Sequence, residues 1–330
     1  LPQDGVLIVD KPAGLTSRQV VSRVASLAGV SKAGHSGTLD PLATGVLVVC
    51  LGRATLLTRY LGFGQKEYVA EALLGVETDT YDIDGEVVSA HDASDITKED
   101  VGSAIATLAT LDKQAPPPYS AVKHNGRPLY QYARAGVHVS TLERAVRVDS
   151  IDLVEFGAGV DDPFAVLDIT CGPGTYVRSL IHDLGHLLGC GACVSRLRRT
   201  RSGQFSIEDA VSLEDVDIQR PDSVSDAAIS IEDATSTMPT VRVSMEQARA
   251  VAMGKPIMAG VIDAPVSDEV FRVLDPRGSL IALYGPARPD DEGIDARAVR
   301  VLRPWQVDDR ARSCDGGVVE SDVAEGNSRS

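Results

Sequence analysis

Apolar residues along this chain fall into two alternating rhythms. Val6-Leu7-Ile8-Val9 and Val46-Leu47-Val48-Val49-Cys50-Leu51 are continuous apolar runs bounded by Gly and Pro, the pattern of short buried strands. Between them Val20, Val21, Val24, Leu27 and Ala28 recur at helical spacing, with Thr16 or Ser17 placed to cap the helix and Gly29 to end it. Leu51-Gly52-Arg53-Ala54-Thr55 marks a strand-to-helix turn, where a glycine before a helix is compatible with packing or with a phosphate. Residues 66–75 predict a strand with Tyr68 near its start, and the acid-rich 75–90 a solvated turn between strands. The calcium-loop pattern is absent there, because no Glu stands at its closing position. Thr97 with Asp100 forms a capping-box start for a helix through Val101, Ile105 and Leu108.

Further along, Gln114–Lys123 is Pro-rich, extended and incompatible with a helix. Residues 144–156 and 164–170 alternate as paired strands do, and Gly172-Pro173-Gly174 opens a helix carrying Ile181, Leu184, Leu187 and Leu188. Residues 206–240 are acidic and Ser/Asp-rich, with one helix expected near 208–215. From about 241 the pattern restarts, with a short helix from Met245 to Met253 and strands near 270–284 and 299–303; 306–330 is polar and expected to be disordered. The predicted class is α+β: a large mixed, mainly antiparallel sheet flanked by helices, plus a small β-rich C-terminal domain. The expected division is a first domain over 1–210, with an RNA-binding insertion about 114–136, an acidic connecting region over 211–240, a small domain over 241–305 and a tail over 306–330.

Candidate chemistry concentrates in Gly34–Gly45. Its glycines permit sharp turns, and Pro41 stiffens the backbone that presents Asp40. A carboxylate on such a loop suits catalysis; an Asp-Pro turn is the alternative. Tyr68 is either a half-buried core aromatic or a platform for an unstacked base. Arg178 sits at a helix start, where the macrodipole favours acids, so either it is solvated or an anion faces it. Lys123, His124, Arg127, Tyr130 and Arg134 mix base and aromatic in the way single-stranded RNA requires, rather than offering a PxxP ligand. Four Arg between 196 and 201 suggest a phosphate-gripping strip or a solvated charge run. His182, His186, Cys190 and Cys193 have steps suggestive of a zinc site, but Gly189 and Gly191 should end the helix before Cys193 and no paired CxxC knuckles occur, so no metal is expected.

Composition changes this picture in two places. The net charge is −15, which by itself opposes nucleic-acid binding, yet 206–240 holds nine acids and one Arg while 196–201 holds four Arg and no acid. Five Cys at irregular spacing do not make a disulfide framework. No apolar run long enough for a bilayer and no secretory leader are read, and the cytoplasm is the expected compartment.

Gly-His-Ser-Gly-Thr-Leu-Asp-Pro-Leu-Ala-Thr-Gly at 34–45 resembles the signature of the TruB family, the bacterial tRNA pseudouridine synthase B enzymes. Asp-Lys-Pro-x-Gly-Leu-Thr-Ser from Asp10, Lys-x-Tyr at 66–68, Pro-Pro-x-Tyr-Ser-Ala-x-Lys at 116–123, Gly-x-Tyr-x-Arg-Ser-Leu at 174–180 and Leu-Arg-Arg-Thr-x-x-Gly-x-Phe at 197–205 are similar to further family elements. The resemblance covers about residues 5–205. It implies that Asp40 is the catalytic residue, that Arg178 faces it, that Tyr68 packs on the target uracil, and that Tyr176 and Leu197 wall the base pocket. It places Lys11 near the site as support, has His35 fill the gap left by a flipped nucleotide, and leaves Tyr119, Ser120 and Lys123 core-supporting or RNA-facing. With Lys123, Arg127, Arg196, Arg198 and Arg199 on the RNA, the implied activity is isomerisation of the T-loop uridine-55 of tRNA to pseudouridine, without cofactor or metal. A stand-alone monomer needing no guide RNA or obligate protein partner is implied, and a PUA-like C-terminal domain. A glycoside hydrolase would call for two carboxylates, and a non-catalytic RNA chaperone would not need Asp40.

Overall fold

The two most apolar runs are buried on both faces, which is why they carry no alternation. They are β1 (Gly5–Lys11) and, after β2 (Ala33–Ser36), β3 (Thr44–Leu51) in the computed structural model, which describes residues 4–137, 139–158, 163–216, 223–260 and 269–302. With β4 (Lys66–Leu74), β5 (Val148–Gly157), β6 (Phe164–Cys171), β7 (Ala192–Ser202), β8 (Phe205–Ser206) and β9 (Val211–Ser212) they form a nine-stranded sheet. Its order is β5-β6-β4-β7-β3-β1-β9, with β2 on β3 and β8 on β7. Neighbours run antiparallel except β7 with β3 and β1 with β9, so the sheet is mixed and mainly antiparallel, as expected.

Three helices cover this sheet's core face: α1 (Ser17–Ala28), α2 (Lys98–Leu108) and α3 (Val177–Leu188). Thr16 and Gln19 close a capping box on α1, and Gly29 ends it at φ +64°. Thr97 and Asp100 cap α2 in the same way. Val20, Val24, Val101, Ile105, Leu180 and Leu184 meet Leu7, Val9, Leu47, Val49, Ala70, Ala72, Leu167 and Ile169 in one core. The strand members of that set alternate, since side chains two apart share a sheet face.

The acidic region departs from expectation. No α-helix forms near 208–215; Ile207–Asp209 is a single 3-10 turn, and Val211–Ser212 then adds to β1 as β9. Leu213, Val216 and Val224 are buried in the main core, so apolar positions inside an acidic composition dock this stretch on the sheet. Ser206–Asp209 and Ser212–Asp215 side-chain pairs close its turns, a use of Ser and Asp that competes with helix. The Gly52 turn is also settled: Asp4 accepts the Arg53 N–H and pairs with its guanidinium, so a carboxylate of the chain itself takes the place of a phosphate.

The chain divides into two units between Thr237 and Met238. The second holds a five-stranded sheet in the order Thr240–Arg242, Phe271–Leu274, Leu280–Pro286, Ile294–Val301, Ile257–Met258, with helix Met245–Ala252 over a core of Val241, Val251, Phe271, Val273, Tyr284 and Ala296. The polar tail read at 306–330 lies outside the described residues.

Candidate active site

The loop between β2 and β3 is held from several sides. Ser17, in the first turn of α1, donates its hydroxyl to the Leu39 carbonyl at 2.9 Å and accepts the Leu39 N–H at 2.8 Å. Lys11, at the end of β1, is fully buried and donates to the carbonyls of Pro12, Leu15 and Pro41 at 2.8, 2.7 and 3.1 Å. Gly14 N–H donates to the same Pro41 carbonyl. Arg199, from β7, donates Nε to the Val46 carbonyl at 2.8 Å and Nη2 to the Gly37 carbonyl at 3.1 Å. The backbone on either side of Asp40 is therefore fixed by buried donors, leaving the carboxylate to face outward.

Gly45 completes this support. It sits at φ +99°, and a Cβ there would meet the Arg199 carbonyl oxygen at 2.2 Å. Gly45→Ala combines left-handed strain of about 1–2 kcal/mol with a backbone clash that only parting of β3 from β7 relieves. It is expected to lower the urea unfolding midpoint by more than a surface Gly→Ala control does, at Gly102 for example, where a Cβ meets open space.

The opposing half of the site comes from α3. Tyr176 precedes this helix, and its backbone is gripped by the side-chain amide of Gln114, which accepts from Tyr176 N at 2.8 Å and donates to Tyr176 O at 3.1 Å. Two residues on, Arg178 is 4% exposed and fully engaged. Its Nε donates to Asp40 Oδ2 at 2.9 Å, Nη1 to the Thr80 carbonyl at 2.6 Å and Nη2 to the Tyr119 carbonyl at 3.0 Å. Asp82 Oδ2 lies 3.5 Å from Nη1. Of the two readings open for Arg178, solvated or faced by an anion, the structure shows the second, with two carboxylates in reach.

A cavity of about 680 Å³ opens in front of this pair, within the range of small-molecule sites. Asp40, Tyr68, Tyr119, Tyr176, Arg178 and Leu197 border it. Asp40 retains 35% side-chain exposure, so one edge of its carboxylate reaches the cavity while the other meets Arg178. Burial pushes the phenols of Tyr68 and Tyr176 upward, opposed at Tyr68 by Arg199 and at Tyr176 by the Ser120 hydroxyl. Both phenols are therefore neutral donors at physiological pH.

Burial also pulls the Lys11 ammonium down to about 8, with Asp40 opposing. Its folded value lies below its unfolded one, so between about pH 8 and 10.5 the unfolded chain holds the extra proton and stability from this group rises with pH. In paired unfolding titrations, wild type is expected to gain stability relative to Lys11→Met across that interval.

The structure brings together Asp40, Tyr68, Tyr176, Arg178 and Leu197, with Lys11 behind the loop. It does not make one strip of the arginines. On β7 side chains alternate, so Leu197 and Arg199 point inward while Arg196 and Arg198 point out. Arg199 is 1% exposed and donates to the loop backbone, so it borders the Asp40 cavity from within rather than joining an exposed strip. Arg198 pairs with Asp10 at 2.8 Å, and Arg196, 83% exposed, with Glu71 at 3.6 Å. His35 lies on β2, half-buried, outside the cavity lining, its Nδ1 enclosed without a hydrogen-bond partner. Lys123 and Arg127 are exposed on a small hairpin turning through Asn125 and Gly126, both at positive φ. Arg127 stacks over Tyr132 at 4.9 Å.

Three residues escaped the sequence reading. Asp82, assigned to a solvated turn, is buried, accepts from the Thr80 hydroxyl at 2.6 Å and shares Arg178 with Asp40. Gln114 and Ser17 carry no motif signature of their own, though Ser17 stands inside the Leu-Thr-Ser run. As for the supposed His/Cys constellation, α3 ends at Leu188 with Gly189 at φ +75°, and Cys190 and Cys193 are buried.

Comparison with known proteins follows the same division of the chain. The TruB family pseudouridylate synthase N-terminal domain matches residues 25–177, the tRNA pseudouridylate synthase B C-terminal domain 178–224, and the tRNA pseudouridine synthase II C-terminal domain 238–303. The tRNA pseudouridine synthase B of Syntrophotalea carbinolica is 40% identical over 304 residues, covering 91% of this chain and 98% of the relative. That of Pelotomaculum thermopropionicum is 41% identical over 306 residues, covering 91% and 97%. Among solved structures, a Cbf5-Nop10-Gar1 complex matches with a TM-score of 0.70 and 28% identity over 92% of this chain and 86% of that one. An H/ACA RNP bound to a substrate RNA containing 2'-deoxyuridine gives 0.68 and 26%, over 92% and 86%. Family matches on both sides of the Asp40–Arg178 pair, and whole-length relatives at this identity, place the chain in the TruB family of pseudouridylate synthases.

Proposed function

We propose that the chain converts uridine-55 in the T-loop of tRNA to pseudouridine, with Asp40 as the catalytic residue. The observation that carries this reading is the Asp40 carboxylate, braced by Arg178 at 2.9 Å, at the edge of a cavity walled by Tyr68, Tyr176 and Leu197. A uridine pulled from its stack fits such a site: an aromatic face replaces the lost stacking and a carboxylate waits beside the sugar. The N1–C1′ bond breaks, the base turns, and C5 joins C1′; the C5 proton leaves to solvent and N1 gains one, so atoms balance. Asp40 acts at the sugar as nucleophile or as base, and Arg178 holds its carboxylate in place. Neutral Tyr68 and Tyr176 hold the base without adding charge.

Lys11 serves as a scaffold for the loop, while Lys123, Arg127, Arg196 and Arg198 meet the phosphates and His35 stands by the vacated stack. The first unit is the synthase domain with its insertion about 114–136, and the second assists RNA binding. The chain works as a stand-alone monomer in the cytoplasm on the T-arm, with no guide RNA and no cofactor. Among the described residues no helix is long and apolar enough to cross a membrane.

The test is tritium release from C5-labelled uridine in T-arm RNA with a chelator present. Stoichiometric release that disappears when uridine-55 is replaced by cytidine supports the proposal. Release from other positions only, or none with tight binding, overturns it in favour of a binding module.

A further inference from the structure

Among the described residues, one cluster of metal-ligating side chains lies outside this site. Glu77, on the strand Val76–Thr78, faces His182 and His186, four residues apart on α3. One ligand atom from each lies within 4.8 Å of the other two. His186 Nδ1 lies 3.3 Å from Glu77 Oε1, close to the ~3.4 Å edge of a tetrahedron built on zinc–nitrogen bonds of about 2.0–2.1 Å, and 3.1 Å from the His182 carbonyl, a contact the ion would replace. We propose that Glu77, His182 and His186 bind one divalent transition-metal ion of the zinc or nickel class, a site distinct from the Asp40 cavity.

Several features beyond proximity support this. Ser89, on the facing strand Val87–Ala90, donates its hydroxyl to Glu77 Oε2 at 2.6 Å, which orients the carboxylate and leaves Oε1 toward His186. That bond holds the Glu77 carboxyl below its usual range, in the ionised state a ligand needs. His182 is stacked on Tyr81 at a centroid distance of 3.8 Å, which fixes its ring. Gly191 leaves the space Glu77 occupies, since a Cβ there would meet Glu77 Cγ at 2.5 Å. Two imidazoles and one carboxylate, with open solvent for a fourth ligand, form a borderline-metal donor set; magnesium and calcium want oxygen throughout. The cysteines that made the sequence spacing suggestive are buried and take no part.

The ion would tie the Val76–Ala90 hairpin to α3. That hairpin carries Thr80 and Asp82, and α3 carries Arg178 one turn before His182, so the bound ion stiffens both sides of the clamp on Asp40.

Calorimetric titration of the full, untagged, chelator-stripped chain with zinc chloride and with nickel chloride tests this. One site per chain is expected, with no response to magnesium. His186→Ala and Glu77→Gln should each weaken it by more than ~10-fold, since even outer partners of metal ligands are worth 10–100-fold. Ser89→Ala, which keeps every ligand, should weaken it about 10-fold. Zinc should raise the thermal midpoint of wild type but not of His186→Ala. Cobalt should give d–d bands without a thiolate charge-transfer band. No binding, wild-type affinity in both His186→Ala and Glu77→Gln, or a thiolate band would overturn the proposal.

Discussion

Asp40→Asn is expected to lower pseudouridine formation on a T-arm stem-loop by on the order of 10⁴-fold or more, the scale of loss when a catalytic nucleophile is removed. Asparagine has nearly the same shape, and its Oδ1 still accepts from Arg178 Nε. The loop is fixed by Ser17, Lys11 and Arg199 through backbone atoms, so its path should not change. What disappears is a charge able to attack C1′ or take a proton. RNA affinity should stay at the wild-type level by fluorescence titration, because the surface cations are untouched. Single-turnover rates near wild type would remove Asp40 from the chemistry.

Arg178 carries the second large effect. Its buried guanidinium meets a carboxylate at Asp40, a second at Asp82, and the carbonyls of Thr80 and Tyr119. Lysine keeps the charge but not the fork, so Arg178→Lys should lose about 10²-fold or more in kcat by misplacing Asp40, with KM much less affected. Arg178→Met leaves Asp82 buried without its counter-charge. Breaking a buried pair costs about 3–5 kcal/mol, readable as a drop in the urea midpoint. Burial already pushes the Asp82 carboxyl upward. Without Arg178 that rise grows, so the deficit should shrink as pH falls and Asp82 takes a proton. A deficit independent of pH would mean that Asp82 is not the group left exposed to the loss.

The elements that hold these groups were largely legible in the sequence. Unbroken apolar runs marked β1 and β3 because both strands are buried on both faces, and caps at Thr16 and Thr97 marked their helices. Arg178 was legible as a misfit, a cation at a helix start that was either solvated or faced by an anion, and only the family resemblance pointed to the second. Other features were hidden for definable reasons. The arginines of 196–201 look like one strip in one dimension, but strand alternation sends Arg199 into the core. Asp82 has the composition of a turn, and only the distant Arg178 gives it a buried role, from 96 positions away in sequence. Gln114 grips the Tyr176 backbone across 62 positions, a contact no local pattern encodes. Leu213, Val216 and Val224 were masked by the acids around them, so the region looked like a connector rather than part of the sheet.

A crystal structure of the Asp40→Asn chain with T-arm RNA tests the central claim most directly. The account predicts uridine-55 out of its stack, its base against Tyr68, and its C1′ within about 3.5 Å of the side chain at position 40, as a reacting pair must be. A uridine still stacked in its loop, or a ribose held elsewhere on a well-ordered complex, would contradict it.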